Sequence, residues 1–100
     1  MHKQTKACDI SKAVKDAVWE RDRYCCVVCG NPAAMPNAHY IARSHGGLGV
    51  EQNIVTLCAG CHRAYDQSAA HEWYKTVIRR YLKSLYPKWD ERKLIYHKYK

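Results

Sequence analysis

One hundred residues suit a single domain, at the small end for a self-sufficient hydrophobic core. Seventeen Lys and Arg against nine Asp and Glu give a formal charge of +8 and a pI near 9.3, a balance that favours a polyanionic partner. No apolar run approaches membrane-spanning length and the polar N-terminus, MHKQTKACDISKAVKD, has no secretory apolar core, so a membrane protein is excluded and a cytoplasmic one is expected.

In chain order, residues 1–8 read as a loose, polar and basic tail. Asp9 or Ser11 can cap a helix running to about Arg21. Ile10, Val14, Ala17, Val18 and Arg21 share its packing side, with Lys12, Lys15, Asp16 and Glu20 outward. Tyr24 to Gly30 reads as a zinc knuckle closed by a Gly30-Asn31-Pro32 turn. Residues 37–42 alternate as a short strand does, and residues 53–57 form a second extended segment. Between them His45-Gly46-Gly47-Leu48-Gly49 reads as a flexible connection. The chain then turns helical from Ala59 to Asp66.

A long amphipathic helix follows from about Ala69 to Leu85, with Tyr74, Val77, Ile78, Tyr81, Leu82 and Leu85 within one half-turn. Lys75, Arg79, Arg80 and Lys83 occupy the other side, as a solvated face or as a stripe that contacts nucleic acid. Pro87 ends this helix, and the tail from Trp89, with Leu94, Ile95, Tyr96 and Tyr99, folds back onto the body. With no repeat, low-complexity tract or linker, residues 1–100 form one domain. It comprises an N-terminal helix at 9–22, a core at 24–68 and a C-terminal helical extension at 69–100.

The pairs Cys26-Val27-Val28-Cys29 and Cys58-Ala59-Gly60-Cys61 are two CxxC hooks, the ligand set of a tetrahedral structural Zn2+. Without secretion, zinc is favoured over disulfides for these cysteines. Four thiolates and one Zn2+ lower the charge only from +8 to +6. Cys25 is an alternative to Cys26 at a looser spacing, and Cys8 is left as a free thiol. The 28 residues between Cys29 and Cys58 exceed what a simple zinc ribbon needs, and they carry His39, Arg43, His45, Glu51 and Asn53.

Ala38-His39, Gly46-Gly47, Asn53 and Leu57-Cys58-x-x-Cys61-His62, in this order, resemble the HNH endonucleases of the ββα-metal class. The run AHYIARSHGGLGVEQNIVTLCAGCHRAYD is similar to the zinc-stabilised HNH nucleases of phages and bacteria, and the resemblance covers roughly residues 10–68. It implies an α+β fold, in which a ββα-metal (HNH) module is stapled by the four-cysteine zinc knuckle and flanked by the two helical extensions. It further implies DNA, most simply double-stranded, as substrate, and phage packaging machinery as a neighbour. If the chain is phage-encoded, its location is the host-cell cytoplasm.

By that resemblance His39 is the general base, Asn53 holds the imidazole or its backbone connection in register, and His62 binds a catalytic Mg2+, Mn2+ or similar ion. Many family members carry Asp or His directly before the base as a second metal ligand, whereas this chain has Ala38. Asp66, four residues after His62, is the candidate replacement, and His45 a weaker one. Arg43 and Arg63 are candidate phosphate contacts together with Lys75, Arg79 and Lys83, and Arg21 and Arg23 can add to them. Nothing is assigned to His2, His71 or His97. The competing reading is a zinc-stabilised DNA-binding module without catalysis; a zinc adaptor for a protein partner suits the charge less well.

Overall fold

The structure, a computed structural model, describes residues 3–97. Its elements run α1 (Lys3–Cys8), α2 (Lys12–Arg21), β1 (Ala34–His39), β2 (Ile54–Cys58), α3 (Ala59–Gln67) and α4 (His71–Leu85). Short 3-10 turns sit at Arg43–His45, Glu51–Asn53 and Glu91–Leu94. Helices and a small antiparallel sheet make this an α+β fold.

Every residue of β2 is buried, because β1 lies against its edge while α2 and α3 pack on it. The pairing sets Ala34 opposite Cys58 and His39 opposite Ile54, with a register shift between Met35 and Ala38. Pro36 falls inside that shift. Proline cannot donate to a ladder, so an irregular edge is where a strand tolerates it. β1 accordingly begins three residues before the alternating segment suggests and ends at His39, although Tyr40 N–H still donates to Asn53 C=O at 2.7 Å.

Ser11, rather than Asp9, caps α2: its hydroxyl accepts from Val14 N–H at 3.1 Å. The helix buries Val18 and leaves Lys12, Lys15, Asp16 and Glu20 exposed. Its last residue, Arg21, is a staple and not a phosphate contact. The guanidinium donates to Glu51 C=O and Ile54 C=O, both at 2.7 Å, and pairs with Asp22 at 2.8 Å. Asp22, fully buried at its side chain, also accepts from Thr56 N–H at 2.8 Å and Tyr81 hydroxyl at 2.5 Å. One ion pair thus ties α2 to β2 and α4. Arg23 lies on the exposed turn beyond, with φ of 60°.

Residues 1–8 were expected as a loose tail, but Lys3–Cys8 is helical, and Cys8 is a buried free thiol. The glycine loop is not slack either. Asn53 donates to Leu48 C=O, Leu48 N–H to Leu94 C=O and Tyr96 N–H to Gly46 C=O, so the C-terminal tail pairs with the loop. Gly47 is needed for close approach, since a Cβ there would fall 1.7 Å from Ile41 C=O. Trp89 packs edge-on against Tyr40 and donates to Gln52 C=O at 2.8 Å, so the tail does fold back. Tyr99 and His2 lie outside the described residues.

α4 buries Ile78 and Leu82, with Tyr74, Val77 and Tyr81 half-buried. Leu85, expected on the packed side, is exposed at the last turn, where the chain leaves the body. Among the described residues no helix is long and apolar enough to cross a membrane.

Candidate active site

Cys26, Cys29, Cys58 and Cys61 bring their sulfur atoms within 4.8 Å of one another. A tetrahedral Zn2+ with Zn–S bonds of about 2.3 Å needs S···S separations of about 3.8 Å. Cys29 and Cys58 Sγ already stand 3.6 Å apart. The backbone prepares both hooks. In the first, Gly30 N–H donates to Cys26 C=O, and Gly30 itself takes a φ of 80°, open to glycine at no steric cost. In the second, Cys58 is the N-cap of α3, its sulfur accepting from Cys61 N–H at 3.4 Å. The Cys26 thiol is pushed up by burial, but backbone N–H groups of Cys29, Cys58 and Val28 outweigh this and hold it at about 7. Burial and the neighbouring Cys58 push Cys61 up to about 12. Donor chemistry, spacing and amide dipoles all fit a structural zinc. Cys25 takes no part, because its sulfur lies against Asp22 C=O at 3.5 Å.

His62 follows Cys61 in the first turn of α3. Successive helical residues point about 100° apart, so Cys61 is buried with the sulfurs while the His62 side chain turns away from them and is one-third exposed. One turn on, Asp66 Oδ2 stands 3.4 Å from His62 Nε2. Both face a cleft of about 610 Å³ whose other wall carries His39, Arg43 and His45. Lys75, from the first turns of α4, lines the same cleft.

His39 closes β1. Its Nε2 lies 2.9 Å from Cys8 C=O. A carbonyl only accepts, so Nε2 carries the proton and the acceptor lone pair of the neutral ring is at Nδ1. Burial lowers the pKa of His39 below its ordinary value; Cys8 C=O opposes this, and the charges of Arg43 and His62 add to the lowering. The ring is therefore a neutral proton acceptor at physiological pH.

Asn53 does not line the cleft. It is fully buried beneath the loop, where Oδ1 accepts from Ile41 N–H at 2.8 Å and Nδ2 donates to Ile41 C=O and Leu48 C=O. Of the two roles expected for it, the backbone one matches this geometry. Ala38, beside His39 on β1, points the other way into the hydrophobic core and has no exposed surface.

The basic residues separate. Arg43 reaches the cleft and pairs with Asp9. Arg79, on α4, stands 3.4 Å from Glu91, which also accepts from Tyr40 hydroxyl at 2.7 Å, and its side chain remains partly exposed. Arg63 and Lys83 are exposed and outside the cleft.

Two cleft residues carried no signal of their own in the sequence. Tyr65 donates to Tyr40 C=O at 2.5 Å and locks α3 against the end of β1; burial pushes its pKa up to about 12, keeping the hydroxyl a donor. His71 stacks on the Tyr65 ring at 4.8 Å, with Nδ1 2.5 Å from Tyr65 C=O. The spacing of Tyr65 three residues after His62, on one helical face, was the only available hint.

Residues 26–68 match the family model described as HNH endonuclease, and the four clustered cysteines, His39, Asn53, His62 and Asp66 all fall inside the matched stretch. A second model, heat-stable enterotoxin ST, matches residues 2–35. That stretch includes only Cys26 and Cys29 of the sulfur cluster, and none of its four cysteines is in a disulfide. "Anaredoxin" from Nostoc sp. (strain PCC 7120 / SAG 25.82 / UTEX 2576) is 38% identical over 47 residues, which are 46% of this chain. The match spans 62% of that relative's length. No solved structure gives a significant match.

Proposed function

We propose that this protein is a metal-dependent DNA endonuclease of the HNH type, in which His39 is the general base. The observation that carries this is the pairing of a neutral His39, whose Nδ1 has no hydrogen-bond partner among the described residues, with His62 and Asp66 in one open cleft. His39 Nδ1 takes a proton from the attacking water as its oxygen bonds to phosphorus. The bond from phosphorus to the 3′ oxygen breaks, and that oxygen takes a proton from solvent, giving 5′-phosphate and 3′-hydroxyl ends. A divalent ion such as Mg2+ or Mn2+, held by His62 and Asp66, would supply charge stabilisation for the phosphate and the leaving oxygen. Asn53 keeps the loop after His39 in register through its three backbone bonds. Arg43 and Lys75 bring positive charge to the cleft walls, and Arg63 and Lys83 add exposed charge beyond it. One cleft per chain attacks one strand at a time, so the first product is a nick. A cytoplasmic setting, with phage packaging machinery as a neighbour, follows only from the resemblance.

The test is cleavage of supercoiled plasmid by wild type and His39→Ala, with EDTA, Mg2+, Mn2+ or Zn2+ added. Nicking by wild type alone, dependent on added ion, supports the assignment. Equal DNA binding by both with no cleavage in any ion overturns it. That result would establish the second reading, a zinc-stabilised DNA-binding module, which the burial of Ala38 favours because it takes one ligand position away from the cleft.

A further inference from the structure

We infer that the N-terminal arm, residues 7–9, positions His39 by fixing its tautomer and ring. This rests on the reading of His39 as the base. The arm lies upstream of residues 26–68, so the HNH match does not include it.

Three separate contacts seat the arm. Cys8 ends α1, and the last carbonyls of a helix have no intrahelical partner. Its C=O is spent instead on His39 Nε2–H, at 2.9 Å. Asp9 pairs with Arg43 on the same cleft wall. Gly49 N–H donates to Ala7 C=O at 3.1 Å, and a Cβ on Gly49 would fall 2.0 Å from Asp9 C=O and 3.1 Å from Cys8 C=O. The glycine loop and the arm are therefore pressed backbone to backbone, which only a residue without Cβ permits.

The consequence is chemical. Either nitrogen of a neutral imidazole can carry the proton, and the partner of one decides the role of the other. With Cys8 C=O accepting at Nε2, the lone pair sits on Nδ1. Without it the proton is free to occupy Nδ1, and a ring so protonated cannot take a proton there. The arm thus supplies from 31 residues away what the ββα core lacks by itself.

The full-length protein tests this in two variants. Gly49→Ala forces the arm off sterically, and Asp9→Asn releases its ion pair without adding bulk. The readout is the tautomer of His39 in a long-range proton–nitrogen correlation spectrum at about pH 8, where the ring is neutral. Zinc content and thermal unfolding serve as controls of folding. The expected result is an Nε2–H tautomer in wild type and a mixed population in Gly49→Ala, with a smaller change in Asp9→Asn. Plasmid nicking should fall by about 10²-fold in kcat for Gly49→Ala, with KM held. A His39 tautomer that is Nδ1–H in wild type, or identical in all three folded proteins, overturns the inference. Failure of the nuclease reading shows separately, as no cleavage by wild type in any ion while the tautomer still responds to the arm.

Discussion

The two sides of α3 show how one short helix serves opposite ends. On one side Cys58 and Cys61 are buried and preset by backbone amides, so the sulfur cluster is closed and its ligand set complete. On the other, His62 and Asp66 are partly exposed, and under the proposed reading two side chains would leave a hard divalent ion open positions for water and a phosphate. A complete set makes a structural centre, whereas an incomplete one leaves positions for reaction. The contrast turns on burial and ligand count more than on residue type.

Removing the zinc is the sharpest way to break that contrast. Structural zinc contributes about 10–16 kcal/mol of apparent binding in small modules, so Cys58→Ser or prolonged strong chelation should abolish cooperative unfolding in far-UV circular dichroism. Brief EDTA treatment that strips only the cleft should leave the melting curve in place. Next in size, His39→Ala and His62→Ala should each lower nicking by about 10²–10⁴-fold, while a zinc assay still finds one bound ion. If either variant loses its zinc, the two sides are not separable as described.

Asp22→Ala sharpens the comparison from the structural side. It leaves Thr56 N–H and Tyr81 hydroxyl without their acceptor and removes the counter-charge of Arg21, which keeps only neutral acceptors. Breaking a buried pair of this kind costs about 3–5 kcal/mol, measurable by urea unfolding of the zinc-loaded protein. An exposed pair such as Lys12–Asp16 should show no comparable loss.

Acidity separates the sides more gently. The pKa of His39 lies below its ordinary 6.5, with burial the largest cause. The folded protein therefore takes up this proton later than the unfolded chain does. The contribution of His39 to stability is flat above 6.5 and declines as pH falls below it. Nicking should rise with pH below that value and level off above it. Arg43→Gln removes one lowering charge and should move the inflection upward in the pH–rate profile. Smallest of all, Lys75→Ala should weaken DNA binding and reduce the slope of log K against log salt by about 1, without altering zinc content.

Much of the module is legible in the sequence alone. The CxxC hooks are local, and a three-residue spacing nearly dictates that both sulfurs of a hook face one point. The α2 stripe, the α4 stripe and the cap at Ser11 are equally local. The glycine loop was misread as slack because glycine permits both flexibility and close approach, and only the neighbouring backbone tells them apart. At Gly47 and Gly49 that neighbour is the chain itself. Arg21 reads as a possible phosphate contact because charge alone cannot reveal an acceptor that lies far along the chain.

The sequence by itself determined the sulfur cluster, the amphipathic helices, the basic charge and the order of His39, Asn53 and His62 between and beside the cysteine hooks. These depend on covalent spacing and residue chemistry, which survive in any conformation. Tertiary structure decided that residues 3–8 are a helix, that Asn53 holds backbone rather than imidazole, and that Ala38 faces the core while His39 faces the cleft. It also decided which nitrogen of His39 carries the proton, through a main-chain carbonyl that no side-chain pattern encodes.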